Sequence, residues 1–242
     1  TQSMFLIVLL LLPSIGHAEF VFLPGGELTK ISTKQNDDIN ENCGFVGNMN
    51  KINNGAIAKK GQFPWAVAIE SNNGQRFCSG TIISPRHVLT AAHCVVQAAF
   101  IDYNECQKVS LKSASEEVDD RIVGGYVAYG GTCNFAALSI NTTGSMCKND
   151  NMKRIKIRSV AWERQYRDKP EGKRCTNFDV AIIETATDFE FGAFARPACL
   201  LASNDDYSDA TVSFYGFGHI LIGENKIMFP DLRYGSGIIQ QK

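Results

Sequence analysis

The sequence lacks any clear excess of charge of one sign. Its 242 residues carry 24 lysines and arginines against 25 aspartates and glutamates, for a net charge of −1. A protein whose main partner is a nucleic acid usually shows a basic excess, so we expect no nucleic-acid partner. The sequence also lacks any repeat of 20 to 50 residues, which argues against solenoids and propellers. No stretch reaches the roughly 18 uninterrupted apolar residues of a membrane-spanning helix, so we expect no membrane span.

The apolar run Phe5–Leu12 is too short to cross a bilayer. Pro13 and the small-x-small triplet Gly16–Ala18 follow it, as at sites that signal peptidase accepts, although no basic residue precedes the run. A buried strand or helix is the alternative interpretation. We expect a signal peptide over residues 1–18 and a secreted, extracellular protein. The even number of cysteines, eight, also favours an oxidising compartment.

The pattern of residue types in the remaining chain changes at Ile52. Residues 19–51 are polar and lack a periodic pattern, as in a propeptide or a linker. Beyond them, short β-rich runs alternate with clusters of Gly, Asn, Asp and Ser, which is typical of an all-β sandwich or barrel. Lys153–Arg158 alternates basic residues with isoleucines, and this predicts a half-buried strand with a charged outer face rather than a heparin-binding patch.

His93 lies in a turn of small residues, within the segment Thr90–Cys94. A general-base histidine needs one ring nitrogen free and the other oriented by a carboxylate. A lone histidine is more often structural, and we expect that of His87. The whole segment, with Cys78 preceding Cys94 by 16 positions, resembles the histidine box of the trypsin-like (chymotrypsin-fold) serine proteases. The resemblance implies that His93 is the general base and acid.

Asp179 stands immediately before the apolar run Val180–Ile183. Taken alone, such an aspartate would cap a turn at the start of a strand. In the family that the histidine box resembles, an aspartate opens a strand of this kind and is buried there. Burying an ionised carboxylate is costly unless it is hydrogen-bonded. The resemblance implies that Asp179 accepts the N–H of His93 and orients its ring.

A third similarity lies at Lys51 and Ile52. A basic residue followed by Ile-x-x-Gly, and then by the Pro-Trp pair of Gly61–Trp65, resembles the start of the mature enzyme in that family. It implies cleavage after Lys51, which frees the ammonium of Ile52 to order the oxyanion hole. Arg121–Gly125 matches the residues at the family's mature N-terminus better, but cleavage there would separate His93 from the new terminus. We expect a strand and a glycine turn at that place.

The resemblance also assigns half of the cysteines. It implies a Cys78–Cys94 bridge beside the histidine and a Cys43–Cys199 bridge that tethers the propeptide after cleavage. The other four allow three connectivities, which the sequence leaves open. No C-x-x-C spacing occurs, so we expect neither a metal site nor another cofactor. These four are Cys106, Cys133, Cys147 and Cys175.

The region between His93 and Asp179 is longer than the family usually has, which predicts surface loops pinned by disulfides. It contains Asn141 in a glycosylation sequon, Asn-Thr-Thr. Further on, Val212–Gly218 resembles the glycine-rich strand end of the family's second barrel. The family's Gly-Asp-Ser-Gly-Gly nucleophile segment does not follow. Ser236 lies between two glycines but lacks the preceding aspartate and comes too early, so we expect it to be a strand or turn residue.

The resemblance implies an all-β fold of two antiparallel six-stranded β-barrels, with the second barrel truncated. Residues 52–242 would form the peptidase domain, with the first barrel to about 190 and the second starting at 191–242. The implied function is a secreted serine endopeptidase zymogen whose nucleophilic serine is not present in these residues. Its partners would be protein or peptide substrates, an activating protease and protease inhibitors. The alternative is a non-catalytic homologue that acts as a secreted binding or regulatory module.

Overall fold

The computed structural model describes residues 20–44, 56–96, 118–133, 152–163, 179–200, 209–222, 225–228 and 231–239. Their elements are one α-helix, α1, a short 3₁₀ helix at Ala92–Cys94, and strands β1 to β12. The bounds are β1 Phe20–Pro24, α1 Thr33–Asn42, β2 Ala56–Ile57, β3 Ala66–Glu70, β4 Arg76–Ile82, β5 His87–Thr90, β6 Tyr126–Tyr129, β7 Lys153–Glu163, β8 Ala181–Thr185, β9 Thr211–Gly216, β10 His219–Ile222, β11 Asn225–Met228 and β12 Arg233–Ile238.

Several sequence expectations fall outside the described residues. They are the signal peptide at 1–18, the cleavage site at Lys51 and Ile52, the sequon at Asn141, and the cysteines Cys106, Cys147 and Cys175. Within the described part of the chain, no helix is both long and apolar enough to cross a membrane.

Six antiparallel strands form a closed barrel. Around its circumference they run β3, β4, β5, β8, β7 and β6, and β6 pairs again with β3. The pairing of β8 with β7 closes this ring of six strands. Closure gives each strand of this ring a neighbour on both sides, which is how antiparallel barrels limit unpaired backbone groups. The expected all-β barrel is confirmed for this first barrel.

The barrel interior is filled by β-branched and aromatic side chains. All five residues of β3 are buried, and Val67 and Ile69 have no exposed surface. Trp162 of β7 is 1% exposed, and Tyr129 of β6 meets Phe189 edge-on at a centroid distance of 5.0 Å. Such side chains suit a pleated surface with one face in the core, so the short runs in the sequence become strands. The barrel is therefore a packed core and not a pore.

The alternating segment Lys153–Arg158 forms the first part of β7, as its period predicts. Three of its four basic side chains, those of Lys153, Arg154 and Arg158, pair with carboxylates of this same chain. Lys153 binds Glu190, and Arg154 Nε lies 2.8 Å from an oxygen of Glu70. Since these cations already have carboxylate partners, much of the positive charge of this face is balanced within the barrel wall.

The later strands form two smaller sheets. Strand β12 pairs with β9 along six residues and with β2 at two, giving a three-stranded sheet, while β10 and β11 form a separate two-stranded ribbon. Among the described residues these strands do not close into a second barrel. The three-stranded sheet packs on the first barrel, where Tyr215 stacks on Phe63 at 5.0 Å.

The segment 19–51 is less irregular than its composition predicts. It contains β1, which pairs with β7, and α1, which the sequence analysis missed. Helix α1 begins with a capping box, because the Ser32 hydroxyl accepts the Gln35 N–H and the Gln35 side chain accepts the Ser32 N–H. No residue of α1 is buried, which explains why its apolar period was too weak to detect.

We expect Trp162→Ala to lower the free energy of unfolding by about 3–5 kcal/mol, because it removes a large buried side chain and leaves a cavity at the β7–β8 closure. Urea denaturation followed by far-ultraviolet circular dichroism measures this. Val123→Ala, at a side chain that is 50% exposed, is the control and should change the value by less than about 0.5 kcal/mol. Equal effects of the two substitutions would contradict the placement of Trp162 in the core.

Candidate active site

The pairing of β5 with β8 brings His93 and Asp179 together. In this antiparallel pair Thr90, the last residue of β5, lies opposite Ala181, the first residue of β8. His93 follows Thr90 by one turn of 3₁₀ helix, and Asp179 precedes Ala181 by two residues. Both side chains therefore leave the barrel at the same corner, although 86 positions separate them in the sequence.

The two residues are joined by two hydrogen bonds. The Nδ1 atom of His93 lies 2.8 Å from Asp179 Oδ2, and the backbone N–H of His93 donates to Oδ1 at 2.9 Å. A carboxylate only accepts, so Nδ1 carries the proton of the neutral ring. The Nε2 atom is then the basic nitrogen. The His93 side chain is 56% exposed against 29% for Asp179, so the imidazole faces solvent and the carboxylate lies behind it.

This contact shifts the pKa values of both groups. Burial by itself raises the pKa of the Asp179 carboxyl, but the hydrogen bonds from the His93 ring and backbone outweigh it, and the pKa falls below its ordinary value. The hydrogen bond to Asp179 raises the pKa of His93 above 6.5 despite partial burial of the ring. The geometry thus suits a base that accepts a proton at Nε2 while a fixed anion stabilises the resulting cation.

Two disulfides lie where the sequence analysis expected them. Cys78 of β4 is bonded to Cys94 of the 3₁₀ helix, directly beside His93, and Cys43 is bonded to Cys199. Cys133 is also disulfide-bonded. The sulfurs of Cys78 and Cys94 lie within 4.8 Å of a His93 ring nitrogen, but they are bonded to each other and offer no thiolate to a metal ion. Their bond instead fixes the position of the histidine turn on the barrel.

Ser236 lies in β12, opposite Ser213 of β9. A Cβ at the preceding Gly235 would lie 2.6 Å from the ring of Phe214, a side chain that is 62% exposed. Ser236 is thus a residue of a strand ladder, which agrees with the expectation for it. Within the described ranges, no side chain hydrogen-bonds to Nε2 of His93.

The segment Arg121–Gly125 forms a turn that leads into β6, so the strand expected there was wrong and the glycine turn was right. The backbone N–H of Ile122 donates to the Asp119 carbonyl at 2.8 Å, and its side chain is 1% exposed. The Arg121 guanidinium binds both carboxylate oxygens of Asp119 and covers the Phe77 ring at 4.3 Å. The bond between Arg121 and Ile122 is therefore held in a folded turn.

Sequence reasoning missed a second buried carboxylate on β8. Glu184 has no exposed surface, and its Oε2 accepts hydrogen bonds from Arg158 at 2.6 Å and from the Thr29 N–H at 2.8 Å. His87 Nε2 lies 3.9 Å from the same oxygen, while its Nδ1 contacts the Ser84 hydroxyl at 2.6 Å. His87 is thus a buried structural histidine. The signal in the sequence was a glutamate that directly continues an apolar strand, since such a carboxylate needs a partner.

Residues 19–123 match the family model described as the nematode trypsin-6-like family. Phenoloxidase-activating factor 1 of Holotrichia diomphalia is 24% identical over 189 residues, which cover 76% of this chain and 46% of that protein. Transmembrane protease serine 9 of Rattus norvegicus is 29% identical over 153 residues, which cover 63% and 11%. The chain thus spans less than half the length of either curated relative.

The solved structure of neuropsin, a serine protease expressed in the limbic system of mouse brain, has a similar fold. The TM-score is 0.53 at 15% sequence identity, and the superposition covers 78% of this chain and 66% of that one. At this identity the likeness concerns the fold, which is trypsin-like. It agrees with the closed first barrel and leaves the second barrel unconfirmed.

We expect His93 to titrate above pH 6.5, because the Asp179 carboxylate stabilises the imidazolium. Asp179→Asn removes that charge, so the pKa of His93 should fall. Nuclear magnetic resonance of the histidine ring protons measures both values. His87 serves as an internal control, because burial lowers its pKa and the substitution does not touch its surroundings. An unchanged His93 titration in the variant would show that the hydrogen bond is not formed in solution.

Limited digestion with a trypsin-like protease should cut after Lys51 and spare the bond after Arg121. The Arg121–Ile122 bond lies in a hydrogen-bonded turn with a buried side chain, and a protease needs an extended, locally unfolded segment. N-terminal sequencing should find Ile-Asn-Asn-Gly. A product that begins at Ile122 with Lys51 uncut would refute the assignment of the cleavage site.

Proposed function

Since the chain is related to the trypsin-like serine proteases and has their fold, we propose that it carries the histidine and aspartate of a secreted serine endopeptidase zymogen. The observation that carries the proposal is the double hydrogen bond between His93 and Asp179. It leaves Nε2 of an exposed imidazole as the base and places an ionised carboxylate behind the ring. A structural histidine needs no exposed basic nitrogen, and the ring of His87 is buried with its Nε2 facing Glu184.

The proposed reaction is acyl transfer through a covalent intermediate. The nucleophile is a serine outside the described residues. Nε2 of His93 takes the proton of the serine hydroxyl while the oxygen bonds to the carbonyl carbon of the peptide. The imidazolium then gives that proton to the leaving amine as the C–N bond breaks. In the second half, His93 takes a proton from water as the water oxygen bonds to the acyl carbon, and the imidazolium returns that proton to the serine oxygen as the ester C–O bond breaks.

Asp179 serves this reaction as an orienting and charge-stabilising group. Its two oxygens hold both the ring and the backbone of His93, so the imidazole cannot turn without breaking a hydrogen bond. The negative charge offsets the positive charge that the ring acquires in each half-reaction. The carboxylate stays ionised throughout, since its pKa lies below its ordinary value.

Activation completes the proposal. Cleavage after Lys51 by another protease would free the Ile52 ammonium, which pairs with a carboxylate beside the nucleophile and orders the oxyanion hole. The substrates would be proteins or peptides, and protease inhibitors would bind the same cleft. We place the protein outside the cell, with a signal peptide at 1–18, a glycan at Asn141 and no need for a metal or another cofactor.

A second candidate is a non-catalytic homologue that acts as a secreted binding or regulatory module. The position of Ser236 within the β9–β12 ladder favours it, because this serine, which lies between two glycines, is a residue of the sheet. The intact pair of His93 and Asp179 favours the enzyme, because a homologue that only binds has no use for an oriented base.

Activity measured on the full-length protein after cleavage at Lys51 separates the two candidates. We expect turnover of ester and peptide substrates, a loss of roughly 10⁶-fold in kcat for His93→Ala and of roughly 10⁴-fold for Asp179→Asn. Arginyl, phenylalanyl and alanyl substrates cover the main specificity classes. Lys156→Ala, at an exposed residue of β7, is the matched surface control and should leave kcat unchanged.

Two outcomes would contradict this proposal. Correctly folded, cleaved full-length protein that shows no turnover and takes up no fluorophosphonate would support the non-catalytic alternative. Turnover by the 242-residue chain that both His93→Ala and Ser236→Ala abolish would identify Ser236 as the nucleophile, and the serine would then lie within these residues.

A further inference from the structure

The N-terminal segment lies along the outside of the first barrel as an added strand. All five residues of β1 pair antiparallel with β7, from Phe20 opposite Glu163 to Pro24 opposite Ser159. The preceding part of β7 pairs with β6 from Lys153 to Lys156. Strand β1 thus continues the ladder of β7 beyond the point where β6 ends. Without it, the backbone groups of Ser159–Glu163 that face this edge of β7 would be unpaired, which favours the addition of another strand.

Gly25 allows the segment to stay close to β7 after the strand ends. A Cβ at this position would lie 2.4 Å from the backbone carbonyl oxygen of Arg158. The clash would be with main chain inside the barrel wall, so no side-chain movement relieves it. Residue 25 therefore has to be glycine for the segment to follow this path.

Arg158 binds the segment from the barrel side. Its guanidinium donates to the carbonyl oxygens of Gly25 at 3.2 Å and Glu27 at 2.7 Å, and to the Thr29 hydroxyl at 3.4 Å. The same group donates to Glu184 Oε2 at 2.6 Å. One cation thus joins three residues of the N-terminal segment to a carboxylate of β8.

Glu184 of the barrel also binds the N-terminal segment. Its carboxylate is fully buried and accepts the backbone N–H of Thr29 as well as the Arg158 guanidinium. Burial raises the pKa of Glu184, but these two donors outweigh it and hold the pKa below its ordinary value. The Thr29 N–H is thus one of the donors that offset the cost of burying this charge.

We infer that the β7 edge, with Arg158 and Glu184, is a binding site for an extended polypeptide strand, and that residues 20–29 occupy it independently of the Cys43–Cys199 disulfide. The inference rests on the proposed function only in that cleavage after Lys51 would make the segment a separate chain. The segment then stays bound to the mature protein through these non-covalent contacts, and the disulfide is a second, independent attachment.

The test uses the whole chain with Cys43→Ser and Cys199→Ser, and with a recognition site for a sequence-specific protease inserted between residues 45 and 51. After cleavage at that site, we expect the N-terminal fragment to co-elute with the barrel in size-exclusion chromatography at micromolar concentration. Its dissociation rate is measured by displacing a fluorescent fragment with excess unlabelled fragment. Because the inserted site replaces natural activation and no turnover is measured, a failure here leaves the proposed function untouched.

Arg158→Met should raise the dissociation rate roughly 30-fold or more, because it removes the guanidinium that donates to Gly25, Glu27 and Thr29 of the segment. Gly25→Ala should raise it as well, and it changes only the segment, so it remains informative if Arg158→Met fails to fold. Lys156→Met removes a neighbouring exposed charge of β7 and should leave the rate within about twofold of the parent. Separate elution of the parent fragment, or equal rates for Gly25→Ala and Lys156→Met, would overturn the inference.

Discussion

The antiparallel register between β5 and β8 is the constraint on which the candidate site depends. Thr90 lies opposite Ala181, so the end of one strand and the start of the other meet at one corner of the barrel. A slip of one residue would send the side chains of a strand to its other face and displace Asp179 from His93 by about 3.3 Å. The barrel is closed through the β7–β8 pairing, and the stagger of a closed barrel is fixed by its geometry. Barrel closure therefore fixes the 2.8 Å contact between the two side chains.

The features that the sequence predicts well are those that short stretches of residues determine. The histidine turn, the aspartate before an apolar run and the alternation of β7 could all be read from short strings of residues. The pairing of β1 with β7 could not, because it joins Phe20 to Glu163 across most of the chain and leaves no periodic trace in a five-residue strand. Helix α1 was signalled locally by the Ser-x-x-Gln capping box at Ser32, but its lack of any buried residue hid the apolar stripe that usually confirms a helix.

Strand β8 and the residues before it contain two carboxylates, Asp179 and Glu184, whose partners differ in their exposure to solvent. Asp179 is paired with a histidine whose ring faces solvent, so its charge acts on a group that can exchange protons with a substrate. Glu184 is buried and accepts hydrogen bonds from Arg158 and from the backbone of Thr29, so its charge acts only inside the protein. Burial penalises both anions, and hydrogen bonds outweigh that penalty in both. The difference between a candidate catalytic group and a structural one thus lies in the partner and its exposure, which a sequence motif alone does not reveal.

Strand β4 connects the candidate site to the three-stranded sheet. The Ser79 hydroxyl accepts the backbone N–H of Phe217 at 2.9 Å, and the Thr81 hydroxyl lies 2.6 Å from the phenol oxygen of Tyr215. Cys78 directly precedes Ser79 on the same strand, and its disulfide to Cys94 joins β4 to the histidine turn. The Ser79 carbonyl also accepts the hydroxyl of Thr90, at the end of β5. Strand β4 thus joins the three-stranded sheet to the histidine turn through one disulfide and three hydrogen bonds.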